Sequence, residues 1–86
     1  MSWRVRVLAS PAMAVGFRLA GLAVDEVPHP RETADRLTAL AAQPDLGIVL
    51  VEQSLLNAMS EFARRTAERR PLPIILGILV ATLVNH

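Results

Sequence analysis

Residues able to do acid–base, metal or nucleophilic chemistry are few and scattered in this 86-residue chain. Glu52 ends an apolar run, Leu46–Val51, where open α/β sheets place their sites. No second acid accompanies it, so it reads as a turn residue that helps the next helix begin. His29 lies between two prolines and His86 is the last residue. Neither has a second ligand at metal spacing, and both read as solvated. The absence of cysteine removes disulfides, thiolate metal sites and cysteine nucleophiles together. A mononucleotide site needs a glycine-rich turn after the first strand, so that backbone N–H groups cradle phosphate. The turn here is Ala9-Ser10-Pro11-Ala12, and Pro11 removes a donor where one is wanted. Aspartate phosphotransfer of the receiver-domain kind needs acids after strands one and three and a lysine beyond strand four. Strand one ends Ala9-Ser10, strand three ends Glu52-Gln53, and the chain has no lysine. The expectation is a domain with no catalytic residue, no metal and no cofactor.

Charge points the same way. Nine arginines face eight acids, a net charge of +1. A nucleic-acid footprint is a concentrated basic stripe with stacking aromatics, and aromatics are only 3% of this chain. Arg64, Arg65, Arg69 and Arg70 form the densest cluster. Glu61 stands three and four residues before Arg64 and Arg65, which suits helix-surface pairing, so a solvated face is expected. Docking of an acidic partner is the rival reading of that face.

The elements that position these residues alternate. Arg4–Ala9 reads as a first strand, with Val5 and Val7 on one face and Arg6 and Leu8 on the other. Ser10–Leu22 reads as a helix: Ser10 can cap, Pro11 suits the first position, and Gly21 suits the end. Met13, Phe17 and Ala20 share its apolar face. Gly16 inside this helix costs about 1 kcal/mol against alanine, which a close approach to a sheet would explain. Ala23–Val27 reads as an edge strand, because it is short and acidic and ends at Pro28. Arg31–Gln43 is a second helix with Ala34, Leu37, Leu40 and Ala41 inward. Leu46–Val51, uninterrupted and apolar, reads as a central strand buried on both faces. Leu55–Arg70 reads as one long third helix with Leu55, Met59, Phe62, Ala63 and Thr66 inward. Pro73–Leu79 is the fourth strand.

This βαβαβαβ pattern predicts one α/β domain over residues 1–86: a four-stranded parallel sheet, order 2-1-3-4, with three helices on two faces. Right-handed crossovers put helix one alone on one face. That leaves strands three and four uncovered on its side, an apolar patch on the order of a few hundred Å². The core is aliphatic, since apolar content is 52% with Trp3, Phe17 and Phe62 as the only large rings. The apolar run Leu72–Val84 falls short of the roughly 20 residues that span a bilayer. The N-terminus lacks the apolar core of a secretory signal.

Gly16-Phe17-Arg18-Leu19-Ala20-Gly21-Leu22, just after the first strand, resembles the signature of the F subunit of V-type (vacuolar/archaeal-type) ATP synthases. Asp45–Gln53 resembles that family's third strand and Leu72–Gly77 its fourth, so the likeness covers roughly residues 4–79. The resemblance implies a non-catalytic subunit of the central rotor stalk, cytoplasmic and peripheral to a membrane-bound complex. It would pair with the coiled-coil D subunit and couple ATP turnover to ion transport. It would bind no nucleotide or nucleic acid and insert into no membrane. Gly16, Phe17, Arg18, Leu19 and Gly21 match the motif and become candidates either for the partner interface or for packing helix one on the sheet, and Leu76 and Leu79 of the fourth strand join the interface candidates. The resembled family continues into a C-terminal helix, and the expectation is that this helix is missing here. The alternative is a stand-alone homo-oligomeric scaffold or adaptor, a homodimer closing its bare sheet face with itself.

Overall fold

The computed structural model describes residues 3–79. Its four strands are β1 (Arg4–Ala9), β2 (Val24–Glu26), β3 (Leu46–Glu52) and β4 (Ile74–Ile78). All pairs are parallel, and the order is β2-β1-β3-β4, the order expected from the sequence. Four helices connect them rather than three: α1 (Pro11–Leu19), α2 (Thr33–Ala41), α3 (Gln53–Asn57) and α4 (Glu61–Glu68). A single 3₁₀ turn, Pro30–Glu32, leads into α2. The reading that the family's C-terminal helix is missing concerns residues outside the described ones.

The extra helix comes from a break in the predicted third helix. Ser60 leaves the helical conformation, and its hydroxyl accepts a 3.1 Å hydrogen bond from the Ala63 N–H. A serine cap of this kind satisfies a backbone donor that has no intrahelical partner. The restart turns the apolar face of α4. Leu55 and Leu56 are buried in α3, but Phe62 is 79% exposed and Thr66 is exposed, against the inward positions expected for both.

The core lies on the face covered by α2, α3 and α4. Leu8, Val49 and Val51 of the sheet meet Leu37 and Leu40 of α2 and Leu55 and Leu56 of α3. Helix α1 covers the other face alone, over β1 and β2, where Val7, Ala9 and Ala14 are fully buried. The edge strand β2 carries one acid to each side. Asp25 pairs with Arg6 at 2.6 Å, and Glu26 with Arg18 of α1 at 3.0 Å. Charged side chains on a short strand discourage further pairing at that edge.

The close approach expected at Gly16 is not found there. A Cβ at Gly16 would meet nothing within 4 Å, so no helix–sheet contact requires glycine there. The close approach occurs instead at Gly77 of β4, where a Cβ would run into Gln53 and lie 2.9 Å from the Leu56 Cδ1 atom of α3.

Candidate partner interface

The motif stretch is first of all a helix stop. The Leu22 N–H reaches the Phe17 carbonyl at 3.1 Å, and the Gly21 N–H reaches that of Arg18 at 2.9 Å. Gly21 has φ +86°, so the pattern is a Schellman motif with glycine in the left-handed position. Phe17 is half-buried, and Arg18 bonds Glu26. Phe17, Arg18 and Gly21 therefore have work within this chain. Gly16 and Leu19 have none: the first faces open space and the second is 84% exposed. With Val15, also exposed, they give α1 an apolar outer face. Ala20, expected inward, is exposed, and the buried position is Ala14.

Beside α1 the sheet lies bare. Val7, Leu50 and Leu76 are neighbours across β1, β3 and β4, so Leu76 points to the α1 side. α1 shelters Val7 and stops there. Ile48 and Leu50 are only half-buried, Val5 and Ile74 are exposed, and Leu76 is 47% exposed. The central strand is thus buried fully on one face only, which corrects its reading as buried on both. Leu79, exposed, stands just past the carboxyl end of β4. Met13 of α1 shares a surface hollow with Ile78 and Leu79, which links the helix to the bare strands. Leu76 thus lies on the same side of the sheet as α1, whose outer face carries Gly16 and Leu19, while Leu79 stands at the edge of the hollow beside Met13.

Glu52 holds this side together. Its Oε1 accepts from the Ser10 hydroxyl at 2.9 Å and from the Ser10 N–H at 3.3 Å, and its Oε2 accepts from the Ser54 hydroxyl at 2.6 Å. The carboxylate is buried and occupied by structural donors. It begins α3, as expected, and also fixes the entry to α1. Ser10 occupies the cap position of α1, but its hydroxyl serves Glu52 and caps nothing. Among the described residues no three His, Cys, Asp or Glu side chains gather as metal ligands. His29 is exposed, and His86 lies outside the described residues.

The family model for the ATP synthase (F/14-kDa) subunit matches residues 5–81, nearly the whole chain. The chain belongs to this family of ATP synthase F subunits. The F subunit of the A-type ATP synthase of Haloferax volcanii is 31% identical over 82 residues, covering 91% of this chain and 77% of that protein. The F subunit of the V-type ATP synthase of Thermus thermophilus is 33% identical over 72 residues, covering 84% and 69%. The crystal structure of the V-type ATP synthase's F subunit in Archaeoglobus fulgidus matches the fold with a TM-score of 0.76 at 24% identity, over 91% of this chain and 99% of that one. The likeness carried by Gly16–Leu22 in the sequence is thus a family relationship. Among the described residues of this family member, no helix is long and apolar enough to cross a membrane.

Proposed function

We propose that this chain is a non-catalytic rotor-stalk subunit of a V-type ATP synthase, seated on the coiled-coil stalk subunit and helping to transmit rotation between ATP turnover and ion transport. On this reading it works in the cytoplasm, peripheral to the membrane sector, and binds no nucleotide itself. Family membership supports the setting. The observation that carries the binding role is the bare apolar side formed by Ile74 and Leu76 beside the exposed Val15 and Leu19 of α1. An exposed apolar side of this kind, next to an apolar helix face, is what a partner's surface would bury.

The same bare side also suits a homodimer, the reading in which the domain is a free-standing scaffold. Capture of the stalk subunit by the tagged chain separates the two. The stalk reading predicts capture by the native chain and its loss in Leu76→Asp. Capture that is absent in the native chain, or indifferent to Leu76→Asp and Leu19→Asp together, rejects this interface.

A further inference from the structure

The helix-covered side carries a second surface, and it does not depend on the stalk reading. Between α2 and α4 runs an apolar groove of about 220 Å³. Its walls are small: Ala34, Thr38 and Ala41 on α2 stand across from Ala63, Thr66 and Ala67 on α4. Pro73 and Ile75 lie behind them. Phe62 stands at its rim, 79% exposed, the most exposed aromatic ring among the described residues. Arg70 lines the groove too. It makes no ion pair among the described residues, and neither does Arg69, whereas Arg65 is taken by Glu61 at 2.7 Å.

The geometry points to an amphipathic helix of another protein, apolar on one face and bearing a carboxylate opposite Arg70, as the occupant of this groove. Three observations select that class. Both walls are helices whose backbone groups are already bonded within each helix, so an extended strand laid there finds no backbone partners, while a helix brings its own. The volume is below the roughly 300–1,000 Å³ of small-molecule sites, and suits a few inserted side chains. The charge is net positive: residues 61–70 hold four arginines (64, 65, 69 and 70) against two glutamates (61 and 68), and Arg70 is the charged residue that lines the groove. A carboxylate meeting Arg70 beside an exposed aromatic anchor gives the docked helix its direction. Because the groove and the bare sheet side lie on opposite faces, one copy can hold both occupants at once.

The test is a nuclear magnetic resonance titration of the ¹⁵N-labelled full chain. The probe is a stapled, end-blocked helical peptide with leucines at i, i+4 and i+7, two glutamates at one end, and alanine and glutamine elsewhere. Its control carries lysines in place of the glutamates. Expected are shifts grouped on residues 34–41 and 59–75, and binding at least about fivefold tighter for the glutamate peptide. Arg70→Glu, an exposed position, should reverse that preference. Ala63→Leu, which fills the groove, should abolish the grouped shifts, and the retained spectrum elsewhere reports that the variant is folded. The proposal is overturned by no shifts at millimolar peptide, by shifts grouped on α1 and β4 instead, or by equal binding of the two peptides.

Discussion

The Ser10 hydroxyl donates to Glu52 Oε1 at 2.9 Å, tying the start of α1 to the end of β3 across 42 positions of sequence. The second oxygen of the same carboxylate takes the Ser54 hydroxyl. One buried acid thus ties the end of β3 to the residue before α1 and to a hydroxyl in the first turn of α3. Glu52→Ala leaves both hydroxyls without this partner and should destabilise the chain by about 2–3 kcal/mol, read as a shift in the urea midpoint. Glu52→Gln keeps the shape and an acceptor, and should cost less than half as much. Equal costs for the two would mean that packing, not hydrogen bonding, holds the junction.

Gly16 and Gly21 should respond to alanine in opposite directions. Gly16 is helical with open space around it, so Gly16→Ala should stabilise the free chain by about 0.5–1 kcal/mol. Gly21 has φ +86°, so Gly21→Ala should destabilise it by about 1 kcal/mol. Thermal melting of the two variants reads both signs. A Gly16→Ala variant that is more stable alone yet binds the stalk subunit more weakly would place a partner backbone against α1.

The break before α4 sets a third expectation. Phe62→Ala should change stability by no more than about 0.5 kcal/mol, whereas Leu55→Ala should cost about 2–5 kcal/mol. Ser60→Ala should cost about 1 kcal/mol through the lost cap. A large cost for Phe62→Ala in denaturant would return Phe62 to the core and restore the single long helix.

How far the sequence reaches can be judged from these same residues. Strand one follows from alternation, and the half-bare face from crossover handedness once the order 2-1-3-4 is taken, because both restate where apolar side chains must go. The helix break does not follow from periodicity: Leu55, Met59, Phe62 and Thr66 keep a helical spacing straight through it. The signal that was there is Ser60 followed by Glu61, a cap with an acid in the first turn. The contrast between Gly16 and Gly77 is less accessible still. Both are single glycines within regular elements, and only the packing of α3 on β4 shows that a Cβ at Gly77, and not at Gly16, would meet neighbouring side chains. The motif is legible as a pattern, but its division into a helix stop and two unoccupied residues depends on hydrogen bonds that no spacing displays.

Acid should weaken one clamp at the amino end of the sheet. Arg4 holds Asp45 through two 2.7 Å bonds and reaches Gln43 as well. The Arg4 hydrogen bond lowers the Asp45 carboxyl below its ordinary value, an effect that partial desolvation opposes. A folded-state value that is depressed adds stability above the unfolded value, and that stability is lost as pH falls through the depressed one. The window therefore opens near pH 4 and extends downward. Asp45→Asn should flatten the melting temperature over that range and leave it little changed near neutrality, since the pair is exposed.

The central claim is that the bare side of this domain holds the coiled-coil stalk subunit. The measurement that tests it most directly is light scattering on the size-exclusion peak after the two chains are co-expressed. The account predicts a single peak with the mass of a one-to-one complex, lost when Leu76 is replaced by aspartate. Separate elution, with this chain running as a homodimer of its own, would contradict it and give the bare sheet face to self-association.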